Sequence, residues 1–213
     1  MVGLYTHPPE GSTVICVDET GPVAAKLYPP RGQWAEAEHR PHYQPDYGRR
    51  GHFWLFGALQ PDTGQGLLLE SPWRDSFSFT AFMDQVDWWI PEGAVQVVID
   101  NLSIHSSVAT LLWNMGHPRF YFHFLPKGAA WLNLIEGWWR ILRHHRALDG
   151  RNFQSLQEVR QAFRTALAGW NAAPTPFRWD PQRREGRRRR GCLQCTRLHR
   201  HHCNGVYTKL LGE

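Results

Sequence analysis

Two short apolar runs in this chain end in an aspartate: VICVD closes on Asp18 and VVID closes on Asp100. Both runs read as buried strands. In open α/β sheets, reactive groups collect just beyond the carboxyl ends of the strands. Neighbouring strands lie about 5 Å apart, so two carboxylates on adjacent strand ends repel each other. A bound cation or a raised pKa relieves that repulsion. A third acid, Glu136, lies in the segment WLNLIEGWWRILRHHRAL, one position beside its apolar stripe. Three hard oxygen ligands brought together suit Mg2+ or Mn2+, which take few protein carboxylates and keep water or phosphate in their other positions. Two such ions about 4 Å apart activate water and stabilise the leaving oxygen of a phosphodiester. Each acid alone has an ordinary alternative. An Asp after an apolar strand starts a loop or caps a helix, and Glu136 can pair with Arg140 at i,i+4. The combination of all three carries the metal reading. Glu19 would face the opposite side of a strand from Asp18, which suits a structural pairing.

The elements that must position these acids follow from hydrophobic periodicity. Residues 13–18, 95–99 and 119–126 read as strands, and 52–60 with 66–71 as a hairpin closed by PDTGQ. The segment 20–50, rich in Pro, Gly, His and Arg, reads as loop or irregular strand. Helical spacing predicts helices over 77–90, about 104–115, 131–148 and 154–170. On the third of these, positions 132, 135, 139 and 142 form the apolar stripe. On the fourth, Leu156, Val159, Phe163 and Leu167 mark the buried face. The order strand, hairpin, helix, strand, helix, strand, helix, helix is an α/β pattern with a mixed sheet.

Charge divides the 213 residues. Residues 1–170 carry 14 Lys and Arg against 16 Asp and Glu, a net of −2, whereas residues 171–213 carry 10 against 3, a net of +7. A domain over 1–170 and a basic, poorly ordered tail over 171–213 are expected. Such a tail attracts polyanions, nucleic acid first. No run of about 18 apolar residues suggests a membrane span, and MVGLYTHPPEGS lacks the pattern of a secretion signal. A cytoplasmic location follows, and no membrane partner is expected. Cys16 reads as a core residue. Cys192, Cys195 and Cys203, with His199, His201 and His202 among them, have the elements of a zinc site. The loop between them is very short and filled with Arg, so a disordered tail is the preferred reading over zinc.

Five segments carry a family resemblance: VDETGP at 17–22, GRRGHFWLFGAL at 48–59, VIDNLSIH at 98–105, FLPKGAAWLNLIEGWWRILR at 124–143 and WNAAPTPFRW at 170–179. In this order they resemble the bacterial insertion-sequence transposases called IS-six-thirty, within the Tc/mariner superfamily of DDE enzymes. Between Asp100 and Glu136 stand 35 residues, close to the spacing typical of that family. The resemblance implies a ribonuclease-H-like fold with a mixed five-stranded sheet flanked by helices. It maps the three catalytic acids onto Asp18, Asp100 and Glu136, which would hold two Mg2+ or Mn2+ ions. Asn101 and His105 belong to its DNxxxH motif. Asn101 would orient Asp100 or a ligand oxygen, and His105 would approach phosphate or serve the start of a helix. Asn133 would help position the active-site helix, and Lys127 would meet backbone phosphate or remain a surface lysine.

The implied reaction is DNA cleavage at transposon inverted-repeat ends followed by strand transfer into target DNA, usually at TA. The implied assembly is a homodimer, or a complex with full-length transposase, associated with the nucleoid. Family members carry an N-terminal helix-turn-helix that reads the inverted repeats, and none is expected in this chain. A second reading, a non-catalytic DNA-binding transposase fragment, therefore stands beside the enzyme.

Overall fold

The computed structural model describes residues 1–25, 51–143, 148 and 151–178. A short helix, α1 (Val2–Thr6), precedes strand β1 (Ser12–Ala24). The hairpin strands are β2 (His52–Leu59) and β3 (Gly66–Ser71). There follow α2 (Ser76–Trp89), β4 (Ala94–Ile99), α3 (Val108–Gly116), β5 (Phe120–Phe124), α4 (Ile135–Arg140) and α5 (Leu156–Ala172). The strands form one mixed sheet in the order β3-β2-β1-β4-β5. The β3–β2–β1 pairs are antiparallel and the β1–β4–β5 pairs parallel.

Local chemistry explains where the helices begin. The Asp75 side chain accepts the Ser78 N–H at the start of α2, and Ser107 accepts the Thr110 N–H at the start of α3. At α5, Ser155 accepts the Glu158 N–H while the Glu158 carboxylate reaches back to the Gln154 N–H. Each cap satisfies N–H groups that the first turn cannot bond internally. At the other end of α2, Asp87 holds Arg119, which also bonds the carbonyl of Ile90.

One sheet face is sealed by α2. Phe79, Phe82, Met83 and Val86 bury against Phe56, Val17, Val97 and Ile99. On α4 and the segment around it, Leu132, Ile135, Trp139 and Leu142 are all buried, as the stripe required. The buried face of α5 is turned slightly from the expected one: Val159, Ala162, Phe163, Ala166 and Trp170 are covered, while Leu156 and Leu167 are half-buried.

The compact unit continues past residue 170, where composition placed the boundary, to Arg178. Asn171 bonds both backbone groups of Gly66, accepting its N–H at 3.0 Å and donating to its carbonyl at 2.8 Å. Trp170 donates its indole N–H to the Gly64 carbonyl, and the Phe177 N–H reaches Pro61. The segment thus closes over the β2–β3 turn and occupies the backbone at the start of edge strand β3. Residues 179–213, with the expected disordered tail and the Cys192, Cys195 and Cys203 cluster, lie outside the described residues. Among the described residues, no helix is long and apolar enough to cross a membrane.

Candidate active site

β1 does not stop at Asp18. Its parallel pairing with β4 ends at Cys16 and Val98, but its antiparallel pairing with β2 runs on to Ala24. The sheet therefore forks. β4 ends at Ile99 and delivers Asp100 on one side, while β1 carries Asp18 beyond the fork on the other. Asn133 sits at this fork. Its side-chain amide donates to the Val17 carbonyl at 3.0 Å, one residue past the last β4 partner. Its own carbonyl accepts the Glu136 N–H. One residue thus ties the start of α4, and Glu136 in its first turn, to the strand bearing Asp18.

Asp18 is held from the α4 side. Trp139 donates its indole N–H to Asp18 Oδ2 at 3.2 Å. This close approach depends on Gly57, the β2 partner of Asp18, since a Cβ there would come within 2.5 Å of the Trp139 ring. Two residues along β1, Thr20 Oγ1 accepts from Arg143 at 3.0 Å. Burial, followed by the charges of Glu19, Glu136 and Asp100, pushes the Asp18 carboxyl up to about 7. Asp18 thus lies within electrostatic reach of the other two acids named from the sequence. That repulsion is what a divalent cation would relieve.

Among the described residues, no group of three or more His, Cys, Asp or Glu side chains is gathered closely enough to hold a metal ion. Mg2+ and Mn2+ do not require one, because they bind through one or two carboxylates and complete their coordination with water and phosphate. The donor set here, all carboxylate oxygen with a buried member forced towards neutrality, fits such ions in chemistry.

The supporting residues fall into different places. His105 is buried, wedged between Glu19 and Asp100. Glu19 is in the pairing expected of it, on the face opposite Asp18. The Asn101 side chain is exposed and donates to the Leu125 carbonyl, joining the ends of β4 and β5. Lys127 is exposed in the turn after β5. The sequence reading missed Trp139 and Arg143. A glycine inside the apolar strand HFWLFGAL was the available signal, because glycine in a strand often marks a close approach.

A family model described as DDE superfamily endonuclease matches residues 13–160. Among solved structures, a pre-cleavage Mos1 transpososome is similar with a TM-score of 0.53 and 16% identity, over 83% of this chain and 53% of that one. The Mos1 strand transfer complex has a TM-score of 0.51 and 18% identity, over 82% and 51%. The Mos1 mariner paired end complex with Mn has a TM-score of 0.50 and 16% identity, over 81% and 52%. The chain thus spans about half the length of each Mos1 chain it matches. No curated protein matches its sequence. At these identities the structural likeness shows the fold: a mixed five-stranded sheet flanked by helices, ribonuclease-H-like as expected.

Proposed function

Because this chain belongs to the DDE superfamily endonucleases, we propose that it is the catalytic domain of a DNA transposase of the IS-six-thirty type. Asp18, Asp100 and Glu136 would hold two Mg2+ or Mn2+ ions. The observation that carries this reading is the placement of Asp18 in β1 and Asp100 at the end of β4, where the parallel pairing of the two strands stops. When bound, the ions supply charge neutralisation at the scissile phosphate and lower the pKa of the attacking hydroxyl. The chain's own residues keep the acids in place. Trp139 holds one Asp18 oxygen, Asn133 fixes the strand behind it, and Gly57 makes room for the indole.

On this reading the substrates are transposon inverted-repeat ends and then target DNA, at TA. The working form is a homodimer or an assembly with full-length transposase, associated with the cytoplasmic nucleoid. The basic composition of 171–213 supports the DNA partner, since cationic segments release counterions from phosphate. Exposed Lys127 is placed as a phosphate contact by this proposal.

The test is a nicking assay with Mn2+ on DNA carrying the element's inverted repeats. Cleavage by the chain that disappears in Asp100→Ala is expected. Salt-sensitive binding with no metal-dependent cleavage would replace the enzyme by a DNA-binding fragment.

A further inference from the structure

Asp100 is gripped by more than its own loop. Its Oδ1 accepts the Leu102 backbone N–H at 3.0 Å and also lies 2.9 Å from Nδ1 of His105. The same ring nitrogen is 3.2 Å from the Asp100 carbonyl oxygen. The other nitrogen, Nε2, stands 2.7 Å from Glu19 Oε1. The His105 side chain is 0% exposed and that of Glu19 is 1% exposed. Phe79 packs on the imidazole with ring centroids 4.7 Å apart.

The Asp100 carbonyl can only accept, so Nδ1 donates to it, and Nε2 is left to meet the Glu19 carboxyl. A buried carboxylate is costly unless it is paired, and His105 is the partner that lets Glu19 remain inside. In return, Glu19 sets the orientation of the ring and hence the direction of the Nδ1–H. Strand alternation makes this possible, because Glu19 leaves β1 on the face opposite Asp18. With Oδ1 of Asp100 accepting the Leu102 N–H and lying beside the His105 ring, Oδ2 is the oxygen left for a cation.

We infer that Glu19 and His105 form a buried positioning pair that locks the Asp100 side chain for divalent-metal binding. The inference rests on the proposed function and deepens it. Groups one step behind a metal ligand tune affinity by orienting that ligand.

Two substitutions separate this role from plain core packing. Asn at position 105 places its amide nitrogen near the site of Nδ1, keeping the donor to Asp100 and losing Glu19. Gln places it near Nε2, keeping Glu19 and losing Asp100. Mn2+ binding to the full chain without DNA, followed by the electron paramagnetic resonance signal of free Mn2+, is the readout. Thermal melting runs alongside. His105→Gln should weaken Mn2+ binding about 10-fold or more, and His105→Asn by less than about threefold. Equal losses, or better binding by His105→Gln, would overturn the positioning role and leave the metal reading intact. No Mn2+ binding by the unaltered chain would remove the metal reading and this inference together. Should neither variant fold, the 15N resonances of the His105 ring in the unaltered chain decide. They should shift on adding Mg2+, and resonances that stay fixed would overturn the proposal.

Discussion

Trp139 donates its indole N–H to Asp18 Oδ2 across 3.2 Å, joining α4 to the central strand at the fork. A donor to a carboxylate favours the charged form. Trp139→Phe keeps most of the ring and removes the donor. The pH at which Mn2+ binding reaches half its maximum should rise by about 0.7 of a unit, since a modest hydrogen bond is worth roughly 1 kcal/mol and one unit of pKa is about 1.36 kcal/mol. A pH profile of Mn2+ binding that does not move would show that this bond contributes nothing to the acid.

Asp18 should make the metal-free protein less stable as pH rises. Its ordinary value is 3.8, and in the fold it stands at about 7. The folded chain therefore holds a proton that the unfolded chain has released across that window. The favourable contribution is complete below 3.8 and is lost as pH rises to about 7. Asp18→Asn lacks this titration, so its stability relative to the unaltered chain should grow over the same interval. Urea unfolding of both proteins at several pH values measures the difference. A constant difference would contradict the shift. Added Mn2+ should stabilise the unaltered chain chiefly near and above pH 7, because metal binding needs the ionised carboxylate.

Asn133→Ala removes the donor to the Val17 carbonyl in a buried place, where Asn133 is 4% exposed. Leaving a buried acceptor unmet costs about 1–3 kcal/mol. Denaturant unfolding should show that loss, and cleavage should fall more steeply than stability because the strand bearing Asp18 loses its side-chain tie to the start of α4. Cleavage that follows only the folded fraction would confine Asn133 to a structural role.

Gly57→Ala pushes a methyl group into the Trp139 ring. Overpacking of this kind costs about 1–3 kcal/mol. Adding Trp139→Leu should recover part of the loss, because residues in contact are not additive. Strictly additive melting shifts would mean that the two do not meet.

Most elements were legible because strand and helix periods differ and the buried faces here are strongly apolar. The misreadings have local physical causes. The apolar run of β1 stops at Asp18, which is where the sequence places its end, yet the antiparallel pairing with β2 carries the strand on to Ala24. A single helix over 131–148 was expected, but Asn133 is extended, at φ −81 and ψ 109, and its side chain serves Val17 instead. α4 starts only after it, and residues 144–147 lie outside the described set. On α5, Ala162 and Ala166 are buried but too small to show in an apolar stripe. The three acids were named from strand ends and from motifs. The Glu19–His105 link joins residues 86 positions apart and needed the fold to bring them together.

The fork in the sheet has a geometric consequence for any rod-like substrate. β1 and β2 overrun the acids on one side, while β4 has already ended on the other. On the proposed reading, a duplex lying across Asp18 and Asp100 meets a wall in one direction and open ground in the other. Its footprint should be lopsided, with protection from hydroxyl radicals reaching further to one flank of the cut bond than to its opposite.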